Sequence, residues 1–321
     1  MPPSVRPPSP DLPTTWLPPR VLHGLSWVGS VAVLGLAAWL LHRYLGAISW
    51  LDVRDALLQL PRSRMAACAL AMVLSFAMLA MFDVMAARIV APRRVSMPLA
   101  ALAGGAAHAL SNALGFHAVT GSAVRYRVYA TAGVGAGDVA RIVSLASLGV
   151  GLGYVVVAAA AFALEPSALG AWGRATGVAL SALLLGLLLW LRKPRVLRVR
   201  RWTLTLPGAD VAAWQMLVGG IEMSAAVAAM YVLLPASMAP PFADFVPLYM
   251  AALLAGIVSH APGGLGVFEA ILLAAFPASA RVEVLAVLLC YRVIYNLAPF
   301  ALALAALAVF EARRKLAPHS I

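Results

Sequence analysis

Residues 97–119 read MPLAALAGGAAHALSNALGFHAV, an apolar run whose second half carries His108, Ser111, Asn112, Gly115 and His117. A helix needs about 20 predominantly apolar residues to cross the hydrocarbon core, so this run is long enough. Polar and ionisable side chains at that depth are costly and turn towards a cavity or a partner. Whether this run crosses sets the side of every loop after it. Further apolar runs occupy residues 25–45, 65–90, 139–164, 176–191, 211–234, 245–259, 267–276 and 284–310. If all of them cross, the basic loop with Arg88, Arg93 and Arg94 falls opposite the one with Arg192, Lys193, Arg195, Arg198, Arg200 and Arg201. Basic loops collect on the cytoplasmic side, so one run must fail to cross. Residues 97–119 are the best candidate, dipping in from the cytoplasm and returning. Only the first loop, with Arg43, Arg54, Arg62 and Arg64 offset by Asp52 and Asp55, then stays out of line.

The same scheme makes residues 245–276 a hairpin entering from the opposite face, broken at Pro262-Gly263-Gly264-Leu265-Gly266. Broken segments in the two halves of a chain are the pattern of inverted-repeat transporters. Ser111, Asn112 and Gly115 before Gly121 echo Ser259, His260 and Gly263 before Gly266, a match short enough for chance to produce as well. The expected fold is all-α: a polytopic helical membrane protein with about six full spans plus two re-entrant or broken hairpins, about eight membrane segments in all. Composition agrees, with hydrophobic residues at 63%, charged residues at 11% and a mean hydropathy of +0.92; soluble domains carry about 25% charged residues. The alternating ten-residue pattern of an outer-membrane barrel is absent.

Residues 1–20 are proline-rich and read as a disordered cytoplasmic tail, residues 21–311 as the membrane domain and 312–321 as a second cytoplasmic tail. The first apolar run lacks a small-residue cleavage site and reads as a retained span, not a signal peptide. The net charge of +12 sits in short loops between apolar runs. That distribution suits anionic headgroups rather than nucleic acid, because basic and aromatic residues do not interleave on one soluble element. Cys68 and Cys290 lie in apolar runs and form no disulfide framework or metal site. The expected location is the bacterial inner membrane, with both termini cytoplasmic.

Four ionisable groups fall at membrane depth: Asp83, Glu222, Glu269 and Arg292. Glu222 shares a helical face with Gln215 and Gly219, and Arg292 stacks with Tyr295, Asn296 and Pro299. These stripes face each other or a common wet cavity, or else form a buried ion pair that only sets packing. Asp83 is close enough in sequence to Arg88 for an interfacial pair. The break at Gly263, Gly264 and Gly266 precedes a short helix whose N-terminus suits an anion such as a lipid phosphate; a tight turn alone is the competing reading. Thr120-Gly121-Ser122 is placed to cap a helix carrying Arg125, Tyr126, Arg127 and Tyr129, with Arg125 and Tyr129 on one face. Arginine forks fit phosphate oxygens, although snorkelling arginines also simply mark the membrane surface. His108 and Asn112 lie one turn apart with no third ligand at a useful spacing, so no metal is expected. Ser147 with Gly151 and Gly149 with Gly153 make small-residue packing pairs. Without a nucleophile elbow, zinc-protease helix or nucleotide loop, neither an enzyme nor a cofactor is expected.

Two stretches carry a family resemblance: SNALGF at 111–116 running into GSAVRYRVY at 121–129, and PGGLGVFE at 262–269. Together they resemble the N-terminal flippase-type membrane domain of lysylphosphatidylglycerol synthases, the multiple peptide resistance factor family, over most of 27–310. The second stretch also occurs in broader flippase-like relatives, including membrane proteins associated with hopanoid synthesis. The resemblance implies a domain that moves an aminoacylated or related phospholipid between leaflets, in a setting of antimicrobial-peptide resistance. It implies that Arg125 and Arg127 engage headgroup phosphate and that Gly263, Gly264 and Glu269 shape the second half of a cavity. By position, Asp83, Glu222, Arg292 and Asn112 join that cavity, the two acids meeting a cationic headgroup. Family members continue into further spans and a cytoplasmic transferase domain, whereas this sequence ends at Ile321. The expected partners are therefore anionic or aminoacylated phospholipids, with a separate cytoplasmic transferase and homo-oligomers compatible. A structural or regulatory subunit that docks a soluble enzyme, and a membrane-embedded lipid-modifying enzyme, stand as alternatives.

Overall fold

A computed structural model describes residues 49–115, 117–164, 172–193, 195–199, 202–259 and 261–316. The expected first span at 25–45, both tails and His260 lie outside the described residues. The helices are α1 Trp50–Leu58, α2 Arg62–Val90, α3 Met97–Leu114, α4 His117–Tyr129, α5 Ala136–Leu164, α6 Trp172–Trp190, α7 Ala209–Tyr231, α8 Phe242–Val258, α9 Val267–Ala275, α10 Arg281–Tyr291 and α11 Ala298–Leu316. A π-helical segment, Arg292–Leu297, joins α10 to α11. Among the described residues five helical stretches are long and apolar enough to span: Arg62–Val90, Ala136–Leu164, Trp172–Trp190, Ala209–Tyr231 and Ala278–Leu316.

Among the described residues one departure from an all-helical chain stands in the basic fifth loop. There β1 (Arg195–Val199) pairs antiparallel with β2 (Trp202–Leu206), Arg195 opposite Leu206 and Val199 opposite Trp202. Val196, Val199, Thr203 and Thr205 supply the β-branched residues that favour this local pairing. The amide of Ala209 bonds the carbonyl of Leu191, holding the end of α6 to the start of α7.

Contacts between helices fix their directions. Arg64 Nη1 caps the carbonyl of Leu234, and Ser75 meets Glu222, so α2 and α7 run antiparallel. Gln215 Nε2 bonds the carbonyl of Leu145, and Gly219 abuts Gly153, so α5 and α7 run parallel. A Cβ on Gly153 would stand 2.6 Å from the Gly219 backbone. Lipid tails supply no hydrophobic drive for helix association, and such small-residue crossings let backbones approach closely enough for dispersion to act. Gly149 faces the Phe82 ring, whereas Gly151 has open space around its Cβ position. The expected packing role of Gly149 and Gly153 therefore stands, and that of Gly151 does not. Gly219 and Gln215, read as part of a polar stripe with Glu222, serve this crossing instead.

The run at 97–119 does not continue as one helix. Gly115, at φ 77° and ψ −165°, ends α3 in a conformation open to glycine. Helix α4 then returns along α3, with Gly121 facing Ser111 and Arg125 reaching His108. Thr120, Gly121 and Ser122 lie within α4, not at its cap, because the helix starts earlier, at His117; Thr120 Oγ1 bonds the Gly115 carbonyl at 3.1 Å. A second helical hairpin pairs α8 with α9, Gly256 lying against Gly264 and Tyr249 edge-on to Phe268. Gly263, Gly264 and Gly266 at its turn all have positive φ.

The two hairpins open towards opposite ends of the bundle. The close of α4 packs with Ala87 of α2, Val139 of α5 and Phe310 of α11, whereas the start of α8 lies beside the end of α7, Phe242 against Tyr231. Their turns meet inside: a Cβ on Gly263 would stand 3.0 Å from the Ala113 carbonyl oxygen and 3.1 Å from that of Asn112. The loops that carry Arg93 and Arg94, Arg192 and Lys193, and the end of α11 with Arg313, Arg314 and Lys315 gather at the α4 end.

Candidate functional site

Polar groups collect in three buried places among the two hairpins and the helices packed on them. The first is built on the last third of α2. Asp83 is fully buried and accepts Arg125 Nε at 2.8 Å, Arg125 Nη2 at 2.7 Å and the Tyr129 hydroxyl at 3.0 Å. Arg125 and Tyr129 stand one turn apart on α4, which delivers both to the same carboxylate. Arg125 Nη2 also lies 3.0 Å from His108 Nε2. Gly104 makes room for the arrangement, since a Cβ there would sit 2.5 Å from Asp83 Oδ2.

Proximity in sequence misassigns Asp83, because Arg88 points outwards to the Met97 sulfur and Arg125 takes the carboxylate. Arg125 is 5% exposed and is neutralised within the protein. Its Nη1, engaged by neither Asp83 nor His108, faces the space that Gly121 leaves open, beside the buried and unpartnered Ser111 Oγ. Arg127 points away, as its offset from Arg125 requires, and bonds Glu311 of α11 through both nitrogens of its fork.

The second place joins the two hairpin turns to the π segment. Arg292 Nε bonds Glu269 Oε1 at 2.6 Å, Arg292 Nη1 bonds the Gly263 carbonyl at 2.6 Å, and its guanidinium lies over the Phe268 ring. One turn on, Asn296 Nδ2 reaches the Asn112 carbonyl in the first hairpin at 3.4 Å. A single π-helical turn thus holds both turns. Such segments are frequent at functional sites, because the extra residue re-aims its neighbours. Arg292 Nη2 and Asn296 Oδ1, a donor and an acceptor on the same face, are buried without a protein partner.

Glu269 changes the reading of the glycine break. Its Oε2 accepts the Gly266 amide at 2.8 Å, so the N-terminus of α9 is capped by the chain's own carboxylate. The chain's own carboxylate thus takes one of the amides that an external phosphate was expected to meet. The Glu222 and Arg292 stripes do meet, Tyr295 reaching Glu222 through Ser75, but they form no ion pair with each other: Arg292 pairs with Glu269.

The third place holds Glu222. It is 5% exposed and accepts the Ser75 hydroxyl at 3.0 Å, and Ser75 Oγ lies 2.6 Å from the Tyr295 hydroxyl. Tyr295 stacks on Tyr291, whose hydroxyl is 2.7 Å from that of Tyr249. Sequence reasoning missed Ser75, Tyr249 and Tyr291. Ser75 was legible as a lone polar residue in an apolar stretch of α2, whereas nothing local distinguishes the tyrosines from ordinary core aromatics.

Two surface clefts flank this interior. One of about 370 Å³ lies between α4 and α5, lined by Ser122, Tyr126, Val139 and Ser144; the other, of about 330 Å³, lies at the opposite end beside Arg64, Tyr231 and Leu234. Neither is lined by Asp83, Glu222, Glu269 or Arg292.

Comparison with known proteins gives two informative similarities. The uncharacterized protein slr0712 of Synechocystis is 30% identical over 285 residues, 84% of this chain and 85% of slr0712. The inner membrane protein YbhN of Escherichia coli is 30% identical over 208 residues, 61% of this chain and 65% of YbhN. No family model matches the chain.

Proposed function

This chain belongs to the family of multi-span helical membrane proteins that includes slr0712, and from that premise we propose that it is a lipid translocator of the bacterial inner membrane, the location that YbhN's name carries. The observation that carries the reading is the meeting of two oppositely opening helical hairpins, with one ion pair buried at their turns and another buried along the first hairpin. Irregular backbone at membrane depth is tolerated only where protein buries it or a cavity lines it. Broken helices meeting near the midplane are the architecture of alternating-access carriers. In this reading α3–α4 and α8–α9 are re-entrant hairpins of an inverted repeat, and the end rich in arginine faces the cytoplasm.

The substrate is an anionic or aminoacylated phospholipid. Arg127 at the cytoplasmic rim attracts the headgroup, and phosphate then reaches the Nη1 edge of Arg125 while Asp83 keeps the guanidinium oriented. Transfer between leaflets makes and breaks no covalent bond, so no catalytic residue is assigned. The exposed face of α6, with Val178 and Leu183, is where lipid or a second copy packs.

The test is leaflet exchange of labelled phosphatidylglycerol and lysyl-phosphatidylglycerol in proteoliposomes. Wild type should exceed protein-free vesicles for at least one lipid. Near-surface basic residues contribute about 1 kcal/mol each towards anionic headgroups. Arg127→Ala, which also leaves Glu311 as an uncompensated negative charge at that rim, should therefore slow exchange roughly fivefold at low salt with little change in thermal unfolding, since an exposed ion pair contributes little to stability. A second reading draws on the internal pairing of Asp83 with Arg125 and Glu269 with Arg292, which a subunit that only docks a soluble enzyme would also need. Exchange no faster than protein-free vesicles across several lipids would favour it.

A further inference from the structure

Among the described residues three carboxylates are buried, and they are not equivalent. Asp83 is held by Arg125 and Glu269 by Arg292. Glu222 makes no ion pair, and its hydrogen bond comes from a serine hydroxyl. The titratable groups facing it are tyrosines on three different elements: Tyr154 of α5, Tyr249 of α8 and Tyr295 of the π segment. Tyr291 of α10 and Cys68 of α2 lie beyond, against Tyr249. Asp83 stands roughly 12 Å further along α2 and is already neutralised.

An ionised carboxylate in such surroundings loses its hydration without gaining a counter-charge, whereas a carboxylic acid needs only a hydrogen-bond acceptor. Ser75 can supply either role, since a hydroxyl both donates and accepts. With Glu222 ionised, Ser75 donates to it and the Tyr295 hydroxyl donates to Ser75. With Glu222 protonated, the acid donates to Ser75 and the order reverses towards Tyr295. The pair of bonds is thus a short reversible proton path. Its far end lies in the same π segment that holds the two hairpin turns through Arg292 and Asn296.

We propose that Glu222 is a proton-binding site, protonated in this conformation, that couples lipid movement to the transmembrane proton gradient through Ser75, Tyr295 and the π segment. The coupling rests on the translocator reading; the protonation does not. One proton is taken up by Glu222 when the turns are clamped and leaves from the same oxygen when the site opens to the other side. No redox step or further reactant is involved.

Two measurements on the full chain test it. Infrared spectra of wild type and Glu222→Gln in lipid nanodiscs should differ at pH 7 by the carbonyl stretch of a protonated carboxylic acid, and Ser75→Ala should shift that band. Because a glutamine amide donates to Ser75 through its nitrogen as the protonated acid does through its hydroxyl, Glu222→Gln should keep the wild-type thermal midpoint. Absence of the band between pH 5 and pH 8 would overturn the proposal. In vesicles with an imposed pH gradient, labelled-lipid exchange by wild type should change at least threefold with the direction of the gradient, and Glu222→Gln should lose that dependence. Exchange indifferent to the gradient in wild type would overturn the coupling and leave the translocator reading standing. No exchange of any lipid at any pH would instead sink the translocator reading, and the infrared band would still decide whether Glu222 holds a proton.

Discussion

The pair Asp83–Arg125 shows how residue chemistry sets the cost of change in this interior. A bidentate guanidinium–carboxylate pair out of water is expensive to assemble but more expensive to halve, since either partner alone is a bare buried charge. Asp83→Asn should therefore destabilise by about 3–5 kcal/mol, visible as a lower thermal midpoint in detergent. Asp83→Leu combined with Arg125→Met should recover most of the loss, because the apolar replacement leaves no orphan charge. Recovery of fold without recovery of lipid exchange would separate the pair's structural part from its functional part. No recovery in the double variant would mean that Tyr129 and His108, left without their partner, carry more of the energy than the ion pair does.

At the scale of elements, the two hairpin turns are the least tolerant places in the fold. Gly263 has φ 59°, and a Cβ there would press on two carbonyl oxygens of the opposing turn. Leaving glycine costs about 1–2 kcal/mol in that backbone region before any clash. Gly263→Ala should lower stability by at least that amount and separate the turns. Gly151→Ala, on a helix with open space at its Cβ position, should stabilise slightly or change nothing. Thermal unfolding of the two variants side by side checks this; equal losses would argue against close contact between the turns. The π segment belongs to the same level of description, since it places Arg292, Tyr295 and Asn296 on three different partners within six residues.

For the whole molecule, the prediction concerns sidedness. Cys68 and Cys290 are buried, so single cysteines introduced at loops can be labelled over a low background. Cysteines at Arg94, Gly135, Lys193 and Lys315 should react from one side of intact spheroplasts, and those at Leu60 and Ala236 from the other. Arg94 and Lys193 reporting opposite sides would refute the paired-hairpin topology. Much of this arrangement was legible before any coordinates. The polar residues in 97–119 and the glycines at 263–266 marked both breaks, and arginines clustered in the second and fifth loops, which would face opposite sides if every run crossed, implied that one run turns back.

What the sequence by itself determined is the class of solvent and the rhythm of the chain, because hydropathy, glycine placement and loop charge are local properties that the bilayer reads directly. It also put Arg125 and Tyr129 on one face and Arg127 on another, since helical periodicity needs no tertiary information. Only the tertiary structure decided which charges meet. Asp83 chooses Arg125 over the nearer Arg88, Arg292 chooses Glu269 over Glu222, and the α9 terminus is capped from within. Pairing between distant segments depends on helix direction and crossing points, here set by glycine contacts such as Gly153 on Gly219, and spacing along one segment does not encode it. The same packing left Glu222 without a cation, which turned one of four similar-looking buried charges into the distinctive one.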